Sequence, residues 1–426
     1  MRILQISDIH WKDKIEITDT YNDMRDAFLE DLKDYYAANQ TPIDHILICG
    51  DIAFSGQKAE YDRAKVFINK ICKITNCKDS EVYLVPGNHD KYVNAESRAL
   101  REIVHIGLEN KEHNNATIEA IVQNDRTFLK KLYSPFSEFV TFAQQYNCTE
   151  KCMHRVLNDN GSEYEETEDC LYWSEELESN YKGYQIMLYG VNTALCSDLK
   201  EYNEGRAGYK GHKLFLPELA YKAAKKTKNV INILMAHHPP MFLTNEKDVV
   251  NDLDSRFRIQ MYGHLHSQSY KTENQAIHIF SGAFQPDVRE KGSDYVPIFN
   301  IIDIDIENIT PNDNKLMVAV QVHKWDGTNF TESKDHSMTL EVPLPQLNNR
   351  WEVKQNMQNN ELPENITKRD IRIKLIQHAN PKSIIELFND RYKYDDEKSE
   401  YTNIIEFLEC VREKKLWVEL YNKLNK

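Results

Sequence analysis

Short apolar runs that stop at Gly, Pro, Asp or His recur along the first 325 residues of the chain. They predict strands at Arg2 to Ser7, His45 to Gly50, Glu81 to Pro86, Tyr184 to Gly190, Val230 to Ala236, Arg258 to Gly263, Ala276 to Gly282, Val296 to Ile306 and Lys315 to Trp325. Between the first three lie two amphipathic stretches: Tyr21 to Ala38, with Met24, Phe28 and Leu32 at helical spacing, and Glu60 to Ile74, with Tyr61, Val66, Phe67 and Ile71. This β-α-β-α-β alternation predicts a parallel sheet covered on both faces. The last two strands are long and adjacent enough to pair as a hairpin, which a second sheet packed on the first would accommodate. The expected class is α/β, a four-layer α/β/β/α sandwich.

Two segments break the pattern. Residues 91–183 are polar and read as mostly helical, Thr127 to Tyr146 above all, and form a cap-like insertion after the third strand. After Trp325 the strand pattern fades through Pro343 and Pro345 into an Asn/Gln-rich linker, residues 346–362. Beyond it, apolar residues return at three- and four-residue intervals, from Ile371 and Leu375 to Leu420 and Leu424. The expected organisation is a main domain over 1–345 that carries the insertion, the linker, and a small all-α domain over 363–426.

Composition narrows the function classes. No run of eighteen apolar residues occurs, so no membrane span is expected, and the N-terminus enters a strand pattern without the marks of a signal peptide. With eight cysteines read as reduced core thiols, the chain is expected to be cytoplasmic. The spacing Cys148-x3-Cys152-x-His154 matches no standard zinc pattern. A formal charge of -14 argues against a long basic groove for nucleic acid. Residues 361–426 carry 13 basic and 13 acidic side chains, so the whole acidic excess lies before them.

Within that acidic body, five short strings close strand-like runs: Asp8-Ile9-His10, Gly50-Asp51, Gly87-Asn88-His89-Asp90, Ala236-His237-His238-Pro239 and Gly263-His264-Leu265-His266. One such string is weak evidence, because a histidine at a strand end is commonly just a solvated side chain. Five of them, each at the carboxyl end of a strand, converge on one sheet edge and supply carboxylate, carboxamide and imidazole ligands there. Two divalent ions about 3.5 to 4 Å apart can share a hydroxide, lower its pKa and clamp a phosphoryl group for in-line attack. A mixed N/O ligand set suits Mn, Fe or Zn, with manganese the ion to supply in vitro. His89 lies between Asn88 and Asp90, and a hydrogen bond to the Asp90 carboxylate would orient its ring as a general acid. Strand alternation would send His237 and His238 to opposite faces if the strand continues through them, which leaves one as a ligand.

These blocks resemble, in order and with none missing, those of the calcineurin-like metallophosphoesterases, and the resemblance covers roughly residues 1 to 325. It implies that Asp8, His10 and His266 hold one metal, that Asn88, His237 and His264 hold the other, that Asp51 bridges them, and that His89 is the general acid. It picks His237, two residues before Pro239, as the ligand and leaves His238 for substrate or a supporting contact. The run from Gly50 to Gly56, with Glu60-Tyr61, looks like the bacterial phosphodiesterase branch, which favours diester or nucleotide substrates over phosphomonoesters and phosphoproteins. The helical tail is distantly similar to death-fold-like adaptor modules associated with bacterial immune effectors. That resemblance implies a nuclease effector recruited through residues 363–426; a bundle that packs on the main domain or self-associates is the plainer alternative.

Overall fold

The computed structural model describes residues 1–12, 21–39, 41–94, 98–99, 119–120, 131–149, 152–158, 161–167, 171–197, 214–224, 226–227, 229–285, 296–310, 313–344, 362–363 and 366–425. They fall into two compact units, residues 1–140 with 149–348, and residues 141–148 with 349–426.

In the first unit β1 (Arg2–Ile6), α1 (Asn22–Asn39), β2 (His45–Cys49), α2 (Lys58–Thr75) and β3 (Val82–Val85) alternate as their hydrophobic pattern predicts. The three strands pair in parallel. Every residue of β2 and β3 is buried, as expected of strands covered on both faces. Phe28 of α1 packs edge-on against Phe284 and Phe299 at 4.8 and 4.9 Å, which seats the helix on this sheet.

Among its described residues the 91–183 segment holds strands as well as the helix expected there. It contains α3 (Ser137–Gln144), but β4 (Cys152–Asn158) and β5 (Gly161–Thr167) form an antiparallel hairpin, and β6 (Tyr172–Tyr181) belongs to the second sheet. That sheet adds β7 (Tyr184–Val191), β8 (Val230–Ala236), β9 (Ile259–Tyr262), β10 (Ser269–Glu273) and β11 (Ala276–Phe280), in the order β10-β11-β9-β8-β7-β6. Between these strands run the single-turn α4 (Glu218–Tyr221) and α5 (Glu246–Arg256), and α5 covers the outer face. Gln260 of β9 donates to the Asp254 carboxylate at 2.8 Å, and Asn232 of β8 to the Arg256 carbonyl at 2.9 Å. The two sheets face each other, β2 against β8 and β3 against β7. Trp173 of β6 lies over Gly190 and donates its indole N–H to the Leu84 carbonyl at 3.0 Å. The result is the four-layer α/β/β/α sandwich.

The chain then returns to the first sheet, not the second. β12 (Ile298–Thr310) pairs antiparallel with β1, and β13 (Asp313–Trp325) pairs with β12. Two further strands, β14 (Phe330–Glu332) and β15 (Met338–Leu344), pair with β13 beyond the point where the strand signal fades. In β15 Leu340, Val342 and Leu344 are buried in alternation, while Pro343 sits at a sheet edge where a missing N–H is tolerated. The linker expected over 346–362 lies outside the described residues, Leu362 excepted.

The second unit holds α6 (Lys368–Ile376), α7 (Pro381–Glu386), α8 (Glu400–Glu413) and α9 (Trp417–Leu424). Thr367 and Asp370 close a capping box on α6, and Asn380 and Ser399 cap α7 and α8. Their apolar stripes meet in a core around Leu375, Ile385, Phe388, Phe407, Val411 and Leu420. Residues 141–148 belong here too: buried Arg369 donates to the Tyr146 carbonyl, and Gln377 to that of Gln145.

Candidate metal centre

The five strings follow β1, β2, β3, β8 and β9, so one edge of the two facing sheets gathers them. Their backbones interlock: Asp8 N–H donates to the Gly50 carbonyl, His10 N–H to that of Asp51, and Gly263 N–H to that of His237, all at 2.9 to 3.1 Å. Asp8, His10, Asp51, His264 and His266 all adopt positive φ, between 51 and 67°. Left-handed backbone is costly for residues with a Cβ and persists where surrounding structure imposes it, characteristically at functional sites. Neighbouring glycines make the room. A Cβ on Gly87 would stand 2.1 Å from Asp51 Oδ1; one on Gly263 would stand 2.1 Å from Ser7 Oγ; one on Gly50 would enter the His237 ring.

The donor atoms form four overlapping groups: Asp8 with His10 and His266; His10 with Asp51 and His89; Asp8 with Asp51 and His237; and His237 with His238 and His264. In each group they lie within 4.8 Å of one another. His10 Nε2 lies 3.9 Å from both Asp8 Oδ1 and Asp51 Oδ2; His266 Nε2 is 3.1 Å from Asp8 Oδ1; His237 Nε2 is 3.3 Å from Asp51 Oδ2 and 3.0 Å from Asn88 Oδ1. Ligand atoms bound to one ion at about 2.1 Å stand roughly 3 to 4 Å apart, so these spacings fit divalent cations.

The electrostatics also fit. Asp8 and Asp51 are buried, and among the described residues no lysine or arginine pairs with either. Burial opposes ionisation of Asp8, but His266 and then His237 hold it below the usual carboxylate range; Asp51 is likewise held low by His237 and His89. Burial pushes His10 and His264 down to about 3, with His89 and His237 respectively adding to the effect, so both keep a lone pair to share. His237 is the exception. Burial disfavours its charge, yet Asp51 and Asp8 outweigh it and raise the ring to about 9. Its Nδ1–H donates to the Cys49 carbonyl at 2.8 Å, so Nε2 faces two oxygens, where a positive charge belongs. Both His10 ring nitrogens are buried without a hydrogen-bond partner among the described residues, as expected of a ring whose lone pair serves a metal.

Two expectations are corrected here. His89 does not hydrogen-bond to Asp90; its Nδ1 lies 2.8 Å from the Phe54 carbonyl, and its backbone N–H donates to Asp51 Oδ1 at 2.7 Å. The Asp90 carboxylate instead accepts from the backbone N–H groups of Ile52, Ala53 and Gly87 and from the Tyr61 hydroxyl, at 2.9 to 3.1 Å. It staples the loops after β2 and β3 together. Burial and the charge of Asp51 push Asp90 up to about 7 against those N–H donors, and cations at Asp51 would remove the second cause. Secondly, strand alternation does not separate His237 from His238, because β8 ends at Ala236. Both rings approach His264, with centroids 5.1 and 4.4 Å away. Burial, His264 and His237 keep His238 well below the ordinary imidazole range.

Residues 1–268 match the family model of the calcineurin-like phosphoesterases. The chain belongs to this family. It is 26% identical over 324 residues to the uncharacterized metallophosphoesterase-like protein YydB of Bacillus subtilis, a match covering 72% of this chain and 57% of that protein, so the chain spans little more than half the length of this relative. Among solved structures it is similar to the purple acid phosphatase PPD1 of yellow lupin (14% identity, 81% of this chain and 53% of that one, TM-score 0.36) and to GAP50 of Plasmodium (10% identity, 81% and 89%, TM-score 0.37).

Three supporting residues of the site carry no sequence signal of their own. Ser7 donates to Asp8 Oδ2 at 2.5 Å, Tyr61 holds Asp90, and Thr193 holds His238. Serine, tyrosine and threonine are too common for their types to mark a site. Only their positions give a hint: Ser7 and Thr193 stand just past the ends of β1 and β7, as the ligand strings stand past theirs.

Proposed function

We propose that this chain is a dinuclear, metal-dependent phosphodiesterase acting on diester or nucleotide substrates. The observation that carries the proposal is the double membership of Asp51, whose Oδ2 stands between His10 on one side and His237 on the other. Asp8, His10 and His266 would hold one divalent ion, Asn88, His237 and His264 the other, and Asp51 both. Mn, Fe and Zn all suit this N/O set. Ions bound there would lower the pKa of water and neutralise charge that develops on the phosphoryl oxygens.

The chain itself supplies the proton. Phe54 takes the Nδ1–H of His89, which leaves Nε2 to meet the leaving oxygen; with Nδ1 engaged, only the imidazolium has a second proton to give. His89 is half-buried and so remains reachable by substrate. The likeness of the Gly50 to Gly56 run to the phosphodiesterase branch favours a singly charged diester. Six free cysteines among the described residues fit a reducing cytoplasm, and no described helix is long and apolar enough to cross a membrane.

The test is a manganese-supplemented panel of a bis-nitrophenyl diester, a nitrophenyl monoester, cyclic nucleotides, and single- and double-stranded DNA. Turnover of small diesters above the monoester is expected, and preference for the monoester or no turnover would defeat the proposal. A second reading rests on the separate core of the helical tail: residues 363–426 would recruit a partner or a second copy, making the enzyme an effector and DNA its substrate. DNA cleavage in the panel, together with self-association that Leu387→Asp abolishes, would select it; Leu387 is 51% exposed.

A further inference from the structure

His237 and His238 are consecutive, buried, and turned towards the same cluster, yet their rings are wired in opposite senses. His237 gives its Nδ1–H to a carbonyl, which can only accept, so in the neutral ring that a cation would bind its Nε2 presents a lone pair. His238 meets a hydroxyl. Thr193 Oγ1 lies 3.1 Å from His238 Nδ1 and already accepts the His238 backbone N–H at 2.8 Å. Among the described residues no other acceptor contacts the Thr193 hydroxyl, which already accepts one N–H, and we assign its single proton to Nδ1. The ring proton of His238 therefore sits on Nε2. That atom is buried and has no hydrogen-bond partner among the described residues. A buried donor without an acceptor costs on the order of 1–3 kcal/mol, a cost that a ligand oxygen would relieve.

We propose that His238, held in its Nε2–H tautomer by Thr193, is a hydrogen-bond donor to an oxygen of the bound phosphoryl group, and is not a metal ligand. The inference rests on the phosphoesterase reading above and adds a residue to it. The two adjacent histidines divide the work: His237 offers a lone pair to a cation, and His238 offers a proton to an anion. A neutral donor also suits a singly charged diester. The carrier of Thr193 is rigid, as a positioning residue requires, because Lys91 donates to the Leu195 and Ser197 carbonyls at 2.8 and 2.9 Å and Ser197 Oγ donates to the Ala194 carbonyl at 2.7 Å.

The experiment measures manganese stoichiometry and affinity, and then the binding of inorganic phosphate to the loaded, full-length protein, by calorimetry. Wild type establishes the site: if it takes up no metal, the phosphoesterase reading itself fails. For His238→Ala, unchanged metal binding and a loss of phosphate affinity on the order of tenfold to a hundredfold are expected. Thr193→Val should lose part of that affinity and Thr193→Ser should regain it, which a merely structural role would not produce. Should His238→Ala fail to fold, His238→Asn keeps an N–H donor without a ring and should retain both metals. Loss of one metal in a folded His238 variant would overturn the proposal in favour of a ligand role. Unchanged phosphate affinity beside intact metal binding would also overturn it, and would leave the phosphoesterase reading standing.

Discussion

Adding one carbon at Gly87 tests whether the loop after β3 sets the place of Asp51. A Cβ there would lie 2.1 Å from Asp51 Oδ1, 2.5 Å from its backbone N and 2.7 Å from its Cγ. A carbon and an oxygen settle roughly 3.5 Å apart, so one of the two loops must yield by more than about 1 Å. Gly87 has no positive φ, so alanine strains the site by contact and not by its own backbone. Asp51 cannot easily step aside, because Oδ1 accepts the His89 N–H at 2.7 Å while Oδ2 lies between His10 and His237. Overpacking of this kind costs about 1–3 kcal/mol in stability, and a displacement of about 1 Å at a reacting centre costs about a hundredfold in rate. Gly87→Ala is therefore expected to fold with a modestly lowered urea midpoint, to bind fewer than two metal ions per chain, and to lose about a hundredfold in kcat on the nitrophenyl diester. Full metal content with kcat within twofold of wild type would refute the tight placement of Asp51.

His89→Ala is expected to slow esters with alkyl leaving groups by about 10²- to 10⁴-fold while sparing nitrophenyl esters, whose leaving oxygen needs no proton; equal losses on both would remove His89 from the acid role. Asp90→Asn replaces an acceptor-only group that faces four donors, so it should lower the stability of the metal-loaded protein by several kcal/mol in urea titrations; a variant as stable as wild type but inactive would restore Asp90 to a role in proton transfer. In metal-free protein His237 is raised from 6.5 to about 9, so its proton stabilises the fold fully below pH 6.5, and that stability is lost as pH rises through 9. Unfolding free energies from urea titrations with chelator should fall across this window by on the order of 3 kcal/mol and manganese affinity should rise with pH, whereas a flat profile for both would contradict the placement of that charge.

The candidate metal constellation was legible because both of its signals survive in one dimension. A strand end is marked by an apolar run that stops at glycine, and Asp, Asn and His are recognisable as ligands wherever they stand. What depends on backbone partners was not legible. The ring of His89 is set by the Phe54 carbonyl, an atom every residue possesses, so the adjacent Asp90 was the plausible but mistaken partner. The end of β8 at Ala236 decided the orientation of His237 and His238, and a one-residue boundary lies below what periodicity can resolve. Pro343 concealed β15, although its alternating Leu340, Val342 and Leu344 carried the strand period all along. The membership of residues 141–148 in the unit of the C-terminal helices rests on buried Arg369 reaching a backbone carbonyl more than 200 positions away, which no local pattern encodes.

The most direct measurement is the metal content of the purified chain after reconstitution with manganese and removal of the excess, read by plasma mass spectrometry for wild type and for Asp51→Asn. Two ions per chain in wild type, and at most one in the variant with turnover nearly abolished, are expected of a site whose two halves share Asp51. One ion or none in wild type, or two ions and full turnover in Asp51→Asn, would contradict it.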